Sequence, residues 1–285
     1  MFENKKICVF GGTGTIGSLI VEYLITQNPS VIRVFSNDEN SLWKAQQRWG
    51  YGEQNNIRYL LGDIRSIDRC LLALKDIDYV FNAAAIKHVP FAEYNPIEAV
   101  NINILGLDNI INACIYRKIK KLLHVSTDKA IEPTTLMGMT KGIGERVLQI
   151  RWSQNPEVNM ICVRMGNILE SRGSILPKIR AQKAKGLPLT ITNPDMERFW
   201  ISQKDCIEFI VNAFRDGKNG EIWVPKLKEI NLMELVRKEV GMDYPIEIIG
   251  NRKGEKLREK LLSDYEIMIA DNTKRNVWII KNEFW

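Results

Sequence analysis

A glycine-rich segment near the start of the chain has the spacing of a phosphate-binding loop. Residues 11–17 have the sequence Gly-Gly-Thr-Gly-Thr-Ile-Gly, directly after the apolar run Ile7 to Phe10 and before a segment with helical spacing. Such glycines allow a tight turn, a close approach of backbone N–H groups to a pyrophosphate, and close packing of helix on strand. The segment therefore predicts a dinucleotide site, although similar turns also occur for structural reasons alone. The predicted contacts are Gly11, Thr13, Gly14, Thr15, Ile16 and Gly17.

The residues after the second apolar run, Val31 to Phe35, bear on which dinucleotide would bind. An NAD site usually has a carboxylate here for the ribose hydroxyls. This chain has Ser36 and Asn37, and only then Asp38. A 2′-phosphate would not be repelled, but the arginine that commonly grips it is absent beside Ser36. The segment favours NADP, with NAD as the alternative.

Two further strand ends add candidate cofactor contacts. Asp63 and Ile64 follow the third apolar run, where Asp63 could either face the adenine amino group or cap the next helix. The fourth run ends on the small side chains of Ala83, Ala84 and Ala85. These leave room for a bulky ring against the backbone, although a plain exit from strand to loop is the alternative.

A hydroxyl, a carboxylate and an amine stand together at the end of the fifth apolar run, Leu122 to Ser126. They belong to Thr127, Asp128 and Lys129. A carboxyl group and an amine can serve as acid and base toward a bound substrate. An exposed turn with a salt bridge is the alternative, but a position in a cleft at a strand end favours catalysis.

The order of apolar runs and helical segments predicts the scaffold for these residues. Strand-like runs alternate with segments of helical spacing, which is typical of an α/β fold with a Rossmann-type, doubly wound parallel sheet. The predicted strands are Ile7 to Phe10, Val31 to Phe35, Ile57 to Leu60, Tyr79 to Asn82, Leu122 to Ser126 and Met160 to Arg164. The predicted helices are Gly17 to Thr26, Ile67 to Leu74, Ile97 to Tyr116 and Lys141 to Trp152.

The alternation breaks up after about residue 166, which predicts a smaller C-terminal substrate-binding lobe. We expect a dinucleotide-binding domain over residues 1–165 and the lobe over 166–285, with a ligand cleft between them. Ser202 predicts the start of one helix, over about 202–216, that packs back on the larger domain. Asn231 predicts the start of another, which Gly241 would end.

Bulk properties narrow the class of protein. No run approaches the roughly 20 apolar residues of a membrane-spanning helix, and no secretory signal pattern is present, so we expect a cytoplasmic protein without membrane insertion. The five cysteines are far apart and mostly in apolar stretches, which predicts reduced core thiols and no metal site. The net charge of +6 is spread along the chain, so we expect an anionic small molecule and no nucleic acid as partner.

Several longer segments carry a resemblance to a known family. The most specific are Lys87-His88-Val89-Pro90 and residues 126–130, Ser-Thr-Asp-Lys-Ala; the others are residues 11–17, 83–86, 133, 164–167, 198–201 and 254–257. Together they resemble UDP-N-acetylglucosamine 4,6-dehydratases of the extended short-chain dehydrogenase type, nearly from end to end. Most relatives that act on hexoses have Asp-Glu where this chain has Asp128 and Lys129.

The resemblance implies a reaction and a role for each residue of the 127–129 group. Such an enzyme would move a hydride from C4 of the sugar to the nicotinamide, eliminate the C6 hydroxyl after loss of the C5 proton, and return the hydride to C6. The dinucleotide would stay tightly bound and be recycled. Thr127 would hydrogen-bond near O4, Asp128 would protonate the C6 hydroxyl, and Lys129 would remove the C5 proton, which demands a lowered lysine pKa.

One departure concerns the Tyr-x-x-x-Lys pair that usually follows in short-chain dehydrogenases, one helical turn apart. Here the pair is Met137 and Lys141. A thioether cannot take a proton, so either another group removes the C4 hydroxyl proton, such as Asp128 or a water held by Lys141, or the protein does not oxidise its ligand. A branch of the dehydratases is similar to this chain in having methionine there, and Lys141 would still bind the nicotinamide ribose.

The resemblance also implies the remaining contacts and partners. UDP-N-acetylglucosamine or a similar nucleotide sugar would be the substrate, and a homo-oligomer, dimer or higher, is the family habit. Lys87 and Asn103 would contact the cofactor. The implied substrate contacts are Lys87, His88, Asn167, Arg198 in support, Arg252 at the pyrophosphate, and Glu255.

Two other functions fit much of the same pattern. A UDP-sugar 4-epimerase or 4-ketoreductase would share the cofactor loop and cleft but would not need Asp128 and Lys129 as an acid and base pair. A catalytically silent NAD(P)-binding sensor or scaffold is suggested by Met137.

Overall fold

The computed structural model describes residues 1–51 and 55–281, which form a large parallel sheet flanked by helices and a smaller lobe. In chain order the strands are β1 (Lys6–Phe10), β2 (Val31–Ser36), β3 (Ile57–Leu61), β4 (Tyr79–Asn82), β5 (Lys121–Thr127), β6 (Asn159–Met165), β7 (Asn167–Ile168), β8 (Leu189–Ile191), β9 (Glu197–Ile201), β10 (Ile222–Pro225), β11 (Glu229–Asn231), β12 (Ile246–Ile248) and β13 (Val277–Ile280). All six predicted strands of the first half are present, each within about a residue or two of the expected ends.

The main sheet has eight strands in the order β3-β2-β1-β4-β5-β6-β10-β13. Every pairing is parallel except that of β10 with β13. The chain order reverses between β1 and β4, and ligands of such sheets bind at the carboxyl ends of the strands beside that reversal. The residues after β1, β2, β4 and β5 therefore meet along one edge.

Helices cover both faces of the sheet because its strands are apolar on both sides. They are α1 (Thr15–Ile25), α2 (Glu39–Trp49), α3 (Ile67–Ala73), α4 (Val89–Tyr94), α5 (Pro96–Val100), α6 (Gly106–Tyr116), α7 (Leu136–Gln154), α8 (Ile175–Ala184), α9 (Gln203–Asp216), α10 (Leu232–Val240) and α11 (Asp264–Ile269). None of the helices in the described ranges has the length and apolar character of a membrane-spanning segment. All five cysteines are buried and unpaired.

Two helices differ from the sequence prediction in ways that matter for the site. The predicted helix Ile97 to Tyr116 is divided, because a π-helical turn at Asn101–Leu105 separates α5 from α6. The helix predicted to begin at Lys141 begins at Leu136, where the hydroxyl of Thr135 accepts the Gly138 N–H at 3.2 Å. Met137 and Lys141 therefore lie on the first two turns of one helix.

The smaller lobe has its own apolar cluster, formed where α8 and α10 pack on short strands. Its sheets are β11-β9-β7 and β12-β8. Ser202 caps α9, and Asn231 caps α10 before Gly241, as predicted. The boundary at residues 165 and 166 stays a prediction, but two strands beyond it, β10 and β13, belong to the main sheet, and α9 packs on α1 and β6.

Candidate active site

The glycine loop after β1 has the geometry of a backbone cradle. Gly11 adopts a positive φ of 68°, and a Cβ there would come within 2.7 Å of the Ala84 nitrogen. A Cβ on Gly17 would collide with the Gly11 carbonyl oxygen, so the start of α1 can approach the loop only because residue 17 is glycine. Thr15 and Ile16 open α1 and line the cavity beside the end of β5. The loop therefore has the backbone geometry that the predicted pyrophosphate site requires.

A second cavity of about 300 Å³ extends from the glycine loop to the end of β2. The Thr13 hydroxyl donates to the Ser36 hydroxyl at 2.9 Å, which ties the loop to that strand. Two carboxylates at this cavity are already engaged. Asp38 caps α2 through the Ser41 hydroxyl and N–H, which lowers its pKa, and Asp63 is paired with Arg65 at 2.7 Å, which lowers its pKa as well. The residues that line this second cavity include Gly11, Thr13, Gly14, Ser36, Asn37, Asp38, Asp63, Ile64, Ala83, Ala84 and Ala85.

Two of the predicted cofactor residues are already bonded within the protein, Asp63 to Arg65 and Asn103 to Ile86. Asp63 is not the cap of α3, because the Ser66 hydroxyl accepts the N–H that opens that helix. Asn103 is 2% exposed; its amide accepts from the Ile86 N–H and donates to the Ile86 oxygen and to the Thr140 hydroxyl. Asn103 thus holds the loop after Ala85 in place and presents no free polar atom to a ligand.

Arg172 is a residue that sequence reasoning missed. It comes from the loop between β7 and α8, yet it lines the cavity at Ser36, and its guanidinium donates to the Thr13 carbonyl oxygen. Its own N–H donates to the Thr15 hydroxyl at 3.1 Å, and its carbonyl accepts from Lys87 Nζ at 2.7 Å. A cation from the smaller lobe therefore stands at the glycine loop. No local pattern signals a contact across 159 residues of chain.

The group at the end of β5 forms a connected set around one carboxylate oxygen. Asp128 is fully buried, and its Oδ1 accepts from the Thr127 hydroxyl at 2.9 Å and from Lys129 Nζ at 3.0 Å. Its Oδ2 has no hydrogen-bond partner among the described residues. Lys129 Nζ also donates to Asn167 Oδ1 at 3.3 Å. Thr127, Lys129 and Asn167 line the cavity beside the end of β5, whereas Asp128 lies behind them.

The expected lowering of the Lys129 pKa is wrong for the free protein. Burial lowers it, but Asp128 and a second carboxylate, Glu259 at 3.5 Å, outweigh burial and raise the pKa. Glu259 is 6% exposed and also pairs with Lys256 at 3.3 Å. The sequence prediction missed Glu259 because it approaches from a segment 130 residues further along the chain. Lys129 is therefore held as a cation before substrate binds.

Met137 and Lys141 lie beside this group on the same face of α7. Met137 is 4% exposed and packs with Ala92 and Ala99 in a small apolar cluster. Both residues line a cavity together with Ser126, Thr127 and Lys129. Burial lowers the pKa of Lys141 to about 8, and its Nζ donates to the Val125 carbonyl at 2.6 Å. The pair thus places an apolar surface and an easily deprotonated amine next to Lys129.

The predicted substrate contacts from the two lobes line one further cavity of about 310 Å³. Lys87, His88, Asn167, Arg252 and Glu255 all reach it, as does Arg198. The guanidinium of Arg198 is hydrogen-bonded within the protein, because it donates to the carbonyls of residues 197, 256 and 257. Arg252 lies near Lys178, whose pKa burial and that arginine lower.

The surroundings of His88 do not favour a role as a catalytic base. Burial and the charge of Lys87 lower its pKa, so it stays neutral near pH 7. Its ring lies against Gly173, in the same loop as Arg172. This contact supports a packing role between the lobes.

Comparison with known proteins places the chain in a family. Residues 7–281 match the model of the polysaccharide biosynthesis protein family. The chain belongs to this family. A member from Methanocaldococcus jannaschii, named only as an uncharacterized membrane protein, is 39% identical over 93% of this chain and 83% of its own. A UDP-N-acetylglucosamine 4,6-dehydratase (inverting) from Campylobacter jejuni is 38% identical over 92% of this chain and 79% of its own. A UDP-glucose 4-epimerase from Rickettsia akari is 35% identical over 95% and 82%.

Solved structures agree with the fold. Pen from Bacillus thuringiensis matches 98% of this chain and 89% of its own with a TM-score of 0.92 at 38% identity. A dTDP-glucose 4,6-dehydratase from Streptomyces venezuelae, solved with NAD bound, matches 91% and 89% with a TM-score of 0.79 at 20% identity, which bears on the fold alone. The predicted α/β fold with a smaller lobe is confirmed. Family membership supports an NAD(P)-dependent enzyme that modifies a nucleotide sugar, but both dehydratases and epimerases occur among the relatives.

Proposed function

We propose that this chain is a UDP-N-acetylglucosamine 4,6-dehydratase that forms a UDP-4-keto-6-deoxy sugar for polysaccharide synthesis. The observation that carries the proposal is the contact of Lys129 Nζ with Asp128 Oδ1 at 3.0 Å, at a cavity shared with Met137 and Lys141. A 4-epimerase takes a hydride from C4 and returns it to C4, so it needs no acid and base at C5 and C6. A dehydratase needs both.

The reaction assigns a separate proton step to each of these side chains. A bound nicotinamide would accept the C4 hydride and later give it to C6. Once C4 is a ketone, the C5 proton becomes acidic and Lys129 removes it. The C6–O bond then breaks, and the departing hydroxyl leaves as water. Return of the hydride to C6 leaves an enolate that takes back one proton at C5, so the sugar loses only water. Asp128 supplies that proton through the Thr127 hydroxyl, which lines the cavity and contacts the buried carboxylate at 2.9 Å.

The raised Lys129 pKa is compatible with a base role because the required protons are already within the pair. An ammonium beside a carboxylate and an amine beside a carboxylic acid hold the same number of protons. Transfer across the 3.0 Å contact would convert one into the other without exchange with solvent. Excluding water from the cleft when substrate binds weakens charge solvation and favours the neutral pair.

The cofactor we propose is NADP. Ser36 and Asn37 bring no negative charge to the adenosine end, Asp38 and Asp63 are engaged elsewhere, and Arg172 supplies a cation at the same cavity. An arginine is suited to a phosphate monoester because its planar donors pair with two oxygens.

Replacing Arg172 with methionine is expected to lower NADP⁺ affinity by about tenfold or more, because a contact to the 2′-phosphate is lost. A tenfold change corresponds to ~1.4 kcal/mol of binding free energy. The affinity for NAD⁺, which has no 2′-phosphate, should fall by less than about threefold. Titration calorimetry with both dinucleotides measures the ratio. Arg180→Met, a change to an exposed arginine of the same lobe, is the control. An equal loss for NAD⁺ and NADP⁺ would show that Arg172 serves the pyrophosphate or the loop, and NADP would lose its support.

Met137→Leu is expected to slow turnover by at most about tenfold, ~1.4 kcal/mol of barrier, because leucine preserves the apolar volume beside the sugar. Lys141→Met should be far more damaging, because it removes the ribose contact and a polar group at the reaction centre. Initial rates of keto-sugar formation compare the two variants. Equal activity of both would mean that this face of α7 is not the reaction centre.

The proposed function is tested by incubating the purified protein with UDP-N-acetylglucosamine and catalytic NADP⁺. We expect a product lighter than the substrate by one water, with no net accumulation of reduced nicotinamide. A product of unchanged mass with inverted C4 would favour the epimerase, which the names of several relatives support. No reaction of a protein that binds dinucleotide would favour the silent sensor.

A further inference from the structure

A buried chain of hydrogen bonds behind the cavity ends on Lys141. The Ala84 N–H donates to Asn82 Oδ1 at 3.0 Å, and Asn82 Nδ2 faces His124 Nδ1 at 3.1 Å. His124 Nε2 in turn lies 3.4 Å from Lys141 Nζ. Asn82, His124 and Lys141 are 1%, 2% and 6% exposed, so water does not replace any of these contacts.

The direction of the first bond determines the direction of the others. Because Asn82 Oδ1 accepts from Ala84, its NH₂ group must donate to His124 Nδ1. That nitrogen is then the acceptor of a neutral imidazole, whose proton is on Nε2. Burial and the charge of Lys141 hold the pKa of His124 well below its usual range, which agrees with a neutral ring. The His124 Nε2–H therefore points at Lys141 Nζ.

An ammonium group would present only donors to that N–H, whereas a neutral amine has a lone pair that accepts it. Lys141 can then still donate one N–H to the Val125 carbonyl at 2.6 Å. The other titratable groups that face Lys141 do not reverse this preference. Cys162 on β6 is a neutral thiol because burial raises its pKa, and Glu145 on α7 is paired with Arg164 at 2.7 Å. Lys129, in the same cavity, is paired with Asp128 and Glu259, so it brings no net positive charge to the site.

We propose that Lys141 is the group that takes the C4 hydroxyl proton, through the lone pair of the neutral amine that the Asn82–His124 chain favours. The inference rests on the proposed function, since it assigns the proton step for which Met137 offers no acceptor. The O–H bond at C4 breaks and its proton bonds to the Nζ lone pair. The O–H electrons form the C4 carbonyl as the C4 hydride leaves for the nicotinamide. The proton gained by Lys141 balances the proton given to the departing C6 hydroxyl, so the whole turnover releases neutral water.

The protonation state is tested directly by NMR titration of the protein labelled with ¹³C-lysine. The Lys141 resonance, identified by its loss in Lys141→Arg, should titrate with a pKa of about 8, against about 10.4 for an ordinary lysine. Titration near the ordinary value would overturn the inference, whatever the protein's substrate proves to be.

The Asn82→Asp variant tests the hydrogen-bond chain itself. A carboxylate accepts from both Ala84 and His124, so the imidazole proton moves to Nδ1 and Nε2 becomes an acceptor toward Lys141. The ammonium is then stabilised, and the pKa of Lys141 should rise by roughly one unit or more. An unchanged pKa in a folded Asn82→Asp variant would contradict the chain. If that variant does not fold, the wild-type titration decides alone.

The catalytic consequence is measured in the Lys129→Ala background, where the reaction should stop after C4 oxidation and reduced nicotinamide should accumulate. Its rate of appearance should rise with pH until about 8, because only the deprotonated amine accepts the proton. Arginine at position 141 stays protonated and cannot accept a proton, so that rate, measured at saturating dinucleotide, should fall by about 10² or more. A rate independent of pH would sink the role of Lys141, whereas no reduction at any pH would sink the proposed function instead.

Discussion

Replacing Lys129 with alanine is expected to abolish formation of the 4-keto-6-deoxy sugar while leaving removal of the C4 hydride measurable. Oxidation at C4 precedes the C5 step, so a variant without the C5 base should stop at the ketone with reduced nicotinamide bound. Loss of a positioned base costs about 10² to 10⁴ in rate. Single-turnover absorbance of the nicotinamide and mass spectrometry of the sugar follow the two steps separately.

The control for this variant is Lys260→Ala, which removes a surface lysine paired with Glu132 and Asp264. It should leave both steps unchanged. Because Lys129→Ala also leaves Asp128 and Glu259 without their shared cation, its unfolding temperature and dinucleotide affinity must be measured alongside. Near-normal product formation by a folded Lys129→Ala protein would remove Lys129 from the mechanism.

Arg164→Met is expected to destabilise the protein by about 3–5 kcal/mol, the cost of leaving buried charge uncompensated. Arg164 is 1% exposed on β6, and its guanidinium binds Glu145 at 2.7 Å and Glu266 at 2.9 Å. Glu145 belongs to α7, and Glu266 belongs to α11. The arginine thus fixes the helix that carries Met137 and Lys141 to the C-terminal segment. Urea unfolding followed by circular dichroism measures the change in free energy.

Arg180→Met is the matched control, because Arg180 also pairs with two glutamates, Glu170 and Glu239, but at the surface. Exposed ion pairs contribute about 0–1 kcal/mol, so this variant should be close to wild type in stability. Similar stability losses for the two variants would show that burial does not set the strength of the Arg164 network.

The parts of the site that the sequence predicted depend on contacts near in the chain. The glycine loop, the end of β5 and the caps of α9 and α10 each combine a strand or helix boundary with residues a few positions away, so spacing alone locates them. The missed residues are supplied by tertiary structure. Arg172 and Glu259 reach the cavity from loops and turns whose own sequences carry no ligand pattern.

Protonation was the least predictable property of the site. The family resemblance implied a lowered pKa for Lys129. In the structure that lysine lies between two carboxylates, which raise its pKa, and burial lowers the pKa of Lys141 instead. The pKa values of both lysines depend on how deeply each side chain is buried and on which charged groups lie beside it. Neither property can be obtained from the spacing of residues in the sequence. The hydrogen-bond chain through His124 is equally invisible in the sequence, because its three side chains come from β4, β5 and α7.

The path of the C4 hydrogen tests the central claim most directly. We expect that UDP-N-acetylglucosamine labelled with deuterium at C4, incubated with the protein and unlabelled NADP⁺, will give a 4-keto sugar one water lighter. NMR should locate the deuterium at C6 of that product. Deuterium found at C4 of a sugar that has kept its C6 hydroxyl and inverted its C4 configuration would contradict the dehydratase and identify a 4-epimerase.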